Sequence, residues 1–213
     1  MTLCPHPTTA TVLAAFLGDL TRAPARTDLK ARGLAATWSV ALQRAPVLAG
    51  YPILSGGAAW VEEMAILRAL VEMLRPARVL EVGNRRGDSA RALVAGGPIE
   101  LWAIDLDDCA GHLPPGTHFV RGDQTLAATW AALPTFDLVF VDGAHTSEAV
   151  EATLDHLLPH LTERAVVAVH DCDGAAVGVT DGEGVENWLE RHVNWRSILL
   201  TTPCGMAILR RTI

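Results

Sequence analysis

The sequence predicts an α/β protein in which helices cover both faces of a doubly wound, mostly parallel sheet. After Pro76, short apolar runs alternate with helical stretches, and strands that are apolar on both faces are typical of a buried parallel sheet. A length of 213 residues with 50% hydrophobic side chains suits one domain with a full core. We expect this domain over residues 76–213, after a helical extension over residues 1–75 that would form a lid or a dimer contact.

Each element is predicted from its local pattern of apolar residues and breakers. Five buried strands are expected at residues 78–82, 99–104, 118–121, 136–141 and 165–169. Helices are expected at residues 58–74, 88–95, 124–132, 146–160 and 184–192. Two further strands, at 197–201 and 206–210, are separated by a short turn that contains Pro203 and Gly205. This spacing predicts an antiparallel hairpin on the edge of the sheet.

Composition limits the partners that the protein can have. The formal net charge of −7 argues against a broad nucleic-acid-binding face. No uncharged apolar run approaches the ~18 residues of a membrane helix, and no basic, apolar leader is readable at the N-terminus. Four scattered cysteines without a CxxC pair fit reduced thiols. We expect a cytoplasmic protein that acts on a small molecule, and the hydrophobic N-terminal region suggests a homodimer.

A glycine loop follows the first strand of the predicted domain. Gly83 and Gly87 are separated by three residues, so the chain can turn tightly and bring backbone N–H groups close to a ligand at a helix start. The loop is neither the dinucleotide fingerprint nor a P-loop, because it lacks their spacing and lysine. Glu81, just before the glycines, would repel a phosphate and attract a cation. Taken alone, the loop could also be an ordinary tight turn.

An acidic residue ends the second strand. Asp105 is placed to accept hydrogen bonds from two ribose hydroxyls, as acidic residues do in nucleoside sites. The loop and Asp105 together predict a nucleoside ligand that has a positive end and no phosphates. S-adenosylmethionine matches this description.

Two later motifs extend the pattern. Asp142-Gly-Ala-His145 follows the fourth strand and His170-Asp171 follows the fifth. With the ExGxxxGxS loop, these motifs make residues 76–213 resemble the class I S-adenosylmethionine-dependent methyltransferases. The resemblance is closest to the small-molecule O-methyltransferase branch, which includes catechol O-methyltransferase-like and cephalosporin-hydroxylase-like proteins. It implies a Rossmann-like sheet of seven strands with an antiparallel last strand.

The resemblance also implies a set of cofactor-binding residues. In that family, the glycine loop contacts the methionine end, Ser89 would take the methionine carboxylate and Asp105 would hold the ribose. Asp123 or Gln124 would bond to the adenine. The full set that the resemblance implies is Glu81, Gly83, Asn84, Gly87, Ser89, Asp105, Leu106, Asp123, Gln124 and Asp142.

The polar residues at the ends of the fourth and fifth strands carry the candidate chemistry. Asp142, His145, His170 and Asp171 would meet at one rim of a parallel sheet. Asp142 and Asp171 could hold a divalent cation such as Mg²⁺ with positions open for substrate oxygens. His145 is the first candidate for a general base and His170 the second, with Asp142 beside the reacting hydroxyl. Alternatively, Asp142 could cap a helix, and either histidine could have a structural role.

The resemblance to metal-dependent relatives is incomplete. It puts the third metal ligand at Cys172, where Asp173 could substitute, and it implies a lysine base, whereas Lys30 is the single lysine of the chain. The expected function is O-methylation of a small molecule in natural-product tailoring. Two alternatives are a non-methylating tailoring enzyme with the same cofactor fold, and a cofactor-binding module without catalysis.

Overall fold

The computed structural model describes residues 26–28, 61–173, 178–200 and 202–212. Its strands are β1 (Arg26–Asp28), β2 (Arg78–Val82), β3 (Glu100–Asp105), β4 (His118–Arg121), β5 (Phe136–Val141), β6 (Leu161–Val169), β7 (Trp195–Leu200) and β8 (Met206–Arg211). Its α-helices are α1 (Val61–Leu74), α2 (Asp88–Ala95), α3 (Ala127–Trp130), α4 (Ser147–Leu157) and α5 (Asp181–Arg191). Single 3₁₀ turns lie at Ala110–His112 and Leu158–His160.

All of these strands form one sheet in the order β1-β7-β8-β6-β5-β2-β3-β4. Only β8 runs antiparallel to its neighbours β6 and β7. The α/β class and the mostly parallel sheet of seven strands with an antiparallel last strand are therefore confirmed. The short β1 adds an eighth strand, which pairs in parallel with β7.

The addition of β1 corrects one expectation. The hairpin of β7 and β8 does not form the sheet edge, because β1 lies outside β7 and pairs with it. Pairing of this kind satisfies the N–H and C=O groups that an edge strand would otherwise expose. The remaining helices expected within residues 1–60, and with them most of the proposed lid, lie outside the described residues.

The strand order reverses direction at β2, and this positions the site. β2 pairs with β3 on one side and with β5 on the other, so connections leave it toward both faces. Helices α1 and α2 pack together on one face, where Leu67 and Leu70 are fully buried. Helices α4 and α5 pack together on the other. A crevice therefore opens at the carboxyl ends of the strands beside β2, as expected at a topological switch point.

Several helix boundaries differ from the sequence expectation. The helix expected at 124–132 is only the four-residue α3. Asp123 Oδ1 accepts hydrogen bonds from the backbone and hydroxyl of Thr125, and this turn replaces the first helical residues. Helix α5 instead begins at Asp181, three residues before the expected start. None of the described helices is long and apolar enough to cross a lipid bilayer.

Candidate active site

An open cleft of about 520 Å³ lies at the carboxyl ends of β2, β3, β4 and β5. Most of the cofactor residues expected from the sequence line this cleft, namely Gly83, Asn84, Asp105, Leu106, Asp123, Gln124 and Asp142. His145 and Arg85 line it as well. The lining residues do not include Glu81 in β2, Gly87 at the end of the glycine loop or Ser89 in α2. The structure therefore brings the predicted cofactor end and His145 into one cleft.

Gly83 sets how closely two strand ends can approach. Its φ angle is +86°, in the left-handed region, and a β-carbon there would lie 2.0 Å from the carbonyl oxygen of Asp142. Gly87 also has a positive φ, of +70°, and precedes the first residue of α2. Any side chain at Gly83 would push the glycine loop away from Asp142, so the first glycine of the motif is needed for the shape of the cleft.

Glu81 lies fully buried beneath the glycine loop. Its two carboxyl oxygens accept hydrogen bonds from Asn84 Nδ2 at 2.7 Å and from the Ser89 hydroxyl. Burial raises the pKa of Glu81 to about 8, although these two hydrogen bonds act in the opposite direction. Glu81 and Ser89 thus hold the loop from below, and the hydroxyl of Ser89 is engaged with Glu81.

Asp105 presents a carboxylate at the end of β3. Its Oδ2 accepts hydrogen bonds from the backbone N–H groups of Asn84 at 2.6 Å and Arg85 at 3.1 Å. Its Oδ1 accepts one from the N–H of Asp107 at 2.9 Å. Partial burial tends to raise the pKa of Asp105, but these backbone hydrogen bonds outweigh it and hold the pKa below its usual range. Asp105 is therefore a charged hydrogen-bond acceptor in the cleft.

Gln124 supports the cleft from inside. Its Nε2 donates to Thr153 Oγ1 at 2.8 Å, and its Oε1 accepts from the backbone N–H of Ala144 at 2.9 Å. A β-carbon at Gly143 would lie 1.8 Å from that oxygen, so only glycine leaves room for this contact. Gln124 thus fixes the Asp142–His145 loop against α4. Asp123 is the more accessible of the two adenine-partner candidates.

His145 lies on the loop between β5 and α4, with 39% of its side chain exposed. Its Nδ1 is 3.2 Å from Asp181 Oδ2 and 3.3 Å from Asp171 Oδ2. Interaction with Asp181 raises the pKa of His145, against the opposing effect of partial burial. With Nδ1 facing two carboxylates, Nε2 is the ring nitrogen left for a substrate proton.

His170 is placed differently, with only 4% of the residue exposed. Its Nε2 is 2.8 Å from Glu63 Oε2, and its Nδ1 is 3.2 Å from Asp142 Oδ1 and 3.1 Å from Asp171 Oδ1. Burial lowers the pKa of His170, but the three carboxylates outweigh burial and raise it well above its usual range. The imidazole of His170 is therefore a buried link between carboxylates.

Ligand atoms of Asp142, His170 and Asp171 all lie within 4.8 Å of one another. Asp171 has a φ of +55°, an unusual conformation for a non-glycine residue, which turns the chain sharply after His170. Cys172 does not join this group, because its Sγ donates to the carbonyl groups of Val169 and His170 and burial raises its thiol pKa to about 12.

Among the described residues, His170 is the third possible ligand that lies close to Asp142 and Asp171. The resemblance suggested Cys172 or Asp173 as the third metal ligand. Neither residue belongs to a cluster of possible ligand atoms within the described part of the chain.

Two residues of the site were missed by sequence reasoning. Glu63 falls on the apolar face of α1 with Leu67 and Leu70, at i+4 and i+7, and a carboxylate at such a position is a signal of a buried partner. Asp181 gave no usable signal, because it lies outside the helix that the sequence predicts at residues 184–192.

The sheet order, the glycine loop and the acidic residue that ends β3 define a Rossmann-like fold with a cleft at the carboxyl ends of its strands. A family model described as a methyltransferase domain matches residues 63–172, just over half of the 213 residues. The chain belongs to this methyltransferase family. The resemblance drawn from the glycine loop, Asp142–His145 and His170–Asp171 is thereby confirmed at the level of the family.

One curated relative is the uncharacterized protein y4gI of Sinorhizobium fredii, which is 29% identical over 138 residues. The match covers 54% of this chain and 15% of the length of that protein.

Solved structures share the fold. The O-methyltransferase TomG of Streptomyces achromogenes, involved in tomaymycin synthesis and solved with S-adenosylmethionine, is 21% identical with a TM-score of 0.59. That match covers 75% of this chain and 84% of TomG. The Podospora anserina methyltransferase PaMTH1, solved with S-adenosylhomocysteine, is 15% identical over 99% of both chains with a TM-score of 0.60.

A third similar structure contains a metal. MycE, a methyltransferase of the mycinamycin pathway solved with magnesium, S-adenosylhomocysteine and mycinamycin VI, is 18% identical with a TM-score of 0.58. The match covers 94% of this chain and 58% of MycE.

Proposed function

We propose that this protein transfers the methyl group of S-adenosylmethionine to a hydroxyl group of a small molecule in natural-product tailoring. The observation that carries the proposal is a single cleft that joins Asp105, a charged acceptor suited to a ribose, to His145, a candidate base. Membership of a methyltransferase family gives the reaction class. TomG, solved with S-adenosylmethionine, and MycE, solved with S-adenosylhomocysteine and mycinamycin VI, support the finer assignment.

The charges of the cleft suit this cofactor. Asp105, Asp123 and Asp142 line it, and S-adenosylmethionine carries a sulfonium and an ammonium group. In this proposal Asp105 accepts hydrogen bonds from the ribose and Asp123 from the adenine. The backbone at Gly83 and Asn84 contacts the methionine end, while Glu81, Gly87 and Ser89 shape the loop from behind.

His145 performs the proton transfer in the proposed mechanism. Bound S-adenosylmethionine would supply an electrophilic methyl group on sulfur. His145 Nε2 would accept the proton of the substrate hydroxyl as that oxygen takes the methyl group, and S-adenosylhomocysteine would leave. Asp171 and Asp181 face Nδ1 and stabilise the imidazolium that results. The main contribution of the cleft would be to align the hydroxyl oxygen with the methyl group and the sulfur, because the reaction is an in-line displacement.

A divalent cation fits the residues beside this base. His170 Nδ1 is buried without hydrogen-bond geometry to any partner in the described residues, although two carboxylate oxygens lie near it. An orphaned nitrogen between two carboxylates is an arrangement that a metal ion satisfies. Asp142 and Asp171 would hold such an ion through their oxygens, the donor type that Mg²⁺ prefers, and His170 Nδ1 would join them only after losing its proton. The ion would lower the pKa of a substrate hydroxyl.

Of the two candidate histidines, His145 is therefore our choice of base. His170 has carboxylates at both ring nitrogens and little exposure, so we assign it to organising Asp142 and Asp171. The homodimer and the cytoplasmic location expected from the sequence stay predictions.

The test is a methyl-transfer assay with S-adenosylmethionine that carries a deuterated methyl group. The protein, with Mg²⁺ and then with a chelator, is incubated with a panel of hydroxylated small molecules. We expect the label in one product class, together with equimolar S-adenosylhomocysteine. His145→Ala should lower turnover by about 100-fold or more, while the cofactor Kd changes little. A product without the label would contradict the proposal and favour a non-methylating tailoring reaction.

A further inference from the structure

Asp181 is a buried carboxylate with no role in the sequence analysis. It is the first residue of α5, only 2% of it is exposed, and its Oδ2 lies 3.2 Å from His145 Nδ1. Its other oxygen, Oδ1, is buried without a hydrogen-bond partner among the described residues. Burying a carboxylate with so few partners is unfavourable for folding. The position of Asp181 therefore points to a function at His145.

Thr180, the residue before Asp181, contacts the start of α4, next to the loop that carries His145. Thr180 Oγ1 accepts a hydrogen bond from the backbone N–H of Ser147 at 2.8 Å. Thr180 thus contacts Ser147, the first residue of α4. Asp181 contacts His145, which lies on the loop two residues earlier. The N-terminal end of α5 holds both the backbone and the imidazole of this segment.

The packing of α5 against α4 makes this contact rigid. A β-carbon at Gly184 would lie 2.6 Å from the carbonyl oxygen of Ser147, so the helix starts can approach this closely only with glycine. Further along, Asn187 Nδ2 donates to Glu151 Oε1 at 3.1 Å and Trp188 Nε1 donates to Asp155 Oδ1 at 2.7 Å. The distance between Asp181 and His145 is therefore set by a helix pair.

We propose that Asp181 is a positioning residue that holds the proton of neutral His145 on Nδ1 and directs Nε2 at the substrate hydroxyl. The proposal rests on the proposed function, in which His145 is the base. A carboxylate that accepts the Nδ1 proton selects one tautomer and one ring orientation. Asp171 also faces Nδ1, at 3.3 Å, but its other oxygen contacts His170. The buried Asp181 has His145 as its described polar partner.

The tautomer is measured directly by NMR on protein with ¹⁵N-labelled histidine, at a pH above the pKa of His145, with His145→Gln to assign the signal. We expect Nδ1–H in the wild-type protein and a shift toward Nε2–H in Asp181→Asn, because the asparagine amide can donate to Nδ1. A neutral His145 ring that carries its proton on Nε2 in the wild-type protein would overturn the proposal, and this result needs no variant. So would an unchanged Nδ1–H tautomer in a folded Asp181→Asn.

Kinetics give the second readout. Asp181→Asn should lower turnover by about 100-fold while the Kd of S-adenosylmethionine stays within about twofold, since the base and not the cofactor cleft is altered. Asp155→Asn is the matched control, because it removes a carboxylate contact between the same two helices away from His145, and its turnover should match the wild type. Wild-type turnover in Asp181→Asn would overturn the proposal.

The two proposals fail in different ways. If the wild-type protein transfers no methyl group, the proposed function fails, and the histidine spectrum still tests whether Asp181 sets the tautomer. If methyl transfer is present and Asp181→Asn leaves either the turnover or the tautomer unchanged, the proposal for Asp181 alone is wrong.

Discussion

Gly83 leaves no room for a side chain, because a β-carbon there would lie 2.0 Å from the carbonyl oxygen of Asp142. This relationship joins the glycine loop after β2 to the loop after β5 that carries His145. Gly83→Ala should therefore separate the two loops and distort the cleft. We expect S-adenosylmethionine to bind at least about tenfold more weakly, a loss of ~1.4 kcal/mol, as measured by calorimetric titration.

Gly116→Ala is the matched control for this variant. Gly116 has a φ of +85°, almost the same as the +86° of Gly83, but its β-carbon would meet nothing within 4 Å. Both alanines carry similar backbone strain, and only one carries the clash. Equal loss of binding in the two variants would show that strain, and not the contact with Asp142, is responsible.

Asp105→Asn should weaken cofactor binding without unfolding the loop. The asparagine side-chain oxygen can still accept hydrogen bonds from Asn84 and Arg85, but the negative charge that strengthens bonds to ribose hydroxyls is lost. We expect the Kd for S-adenosylmethionine to rise about tenfold. Asp108→Asn, at an exposed carboxylate three residues away, should leave the Kd unchanged; a similar rise in both variants would indicate a general charge effect.

Glu81 gives the folded protein a specific pH dependence. Its pKa is about 8 in the folded state and 4.5 in its ordinary state, so the folded protein binds more protons than the unfolded chain between these values. Stability from this group is therefore full below about pH 4.5 and decreases as the pH rises toward 8.

Glu81→Gln should flatten that pH dependence, because glutamine stays neutral and can still bond to Ser89 and Asn84. Melting temperatures measured from about pH 5 to about pH 8 should fall less in the variant than in the wild type. Parallel curves for the two proteins would contradict a raised pKa at Glu81.

Gln124→Ala should loosen the loop that carries His145. The variant removes the acceptor for the Ala144 N–H and leaves a space beside Gly143. We expect destabilisation of ~1–3 kcal/mol and faster amide hydrogen exchange at residues 143–147. Thr153→Val removes the acceptor for Gln124 Nε2 and the hydroxyl contact with Ala149, but it keeps the bond from Ala144 to Gln124, so exchange at these residues should rise less than in Gln124→Ala. No increase in either variant would show that the loop is held by other contacts.

Local sequence patterns predicted the site residues that lie at the end of one strand or directly after it. Gly83 and Asp105 were identified because a strand end, a turn and a helix start lie next to each other in the sequence. Asp142, His145, His170 and Asp171 were predicted to meet because parallel strands end at one edge of a sheet. The structure brings these residues together as that rule requires.

Contacts between residues far apart in the sequence were not predictable in this way. Glu63 reaches His170 from α1, and Asp181 reaches His145 from α5, although nothing near either residue marks the partner. Gly182 was expected to lie before the helix, and Gly184 at its first position. In the structure they allow close packing, since β-carbons there would lie 2.4 Å from Cys172 and 2.6 Å from Ser147 carbonyl oxygens.

The most direct test of the account is calorimetric titration of the wild-type protein with S-adenosylmethionine and with S-adenosylhomocysteine. We predict saturable binding of both at a single site per chain, with each ligand displacing the other. Binding should be weakened in Gly83→Ala and kept in Gly116→Ala. No binding of either ligand by the folded wild-type protein would contradict the claim that the cleft beside Gly83 and Asp105 is a methyl-donor site.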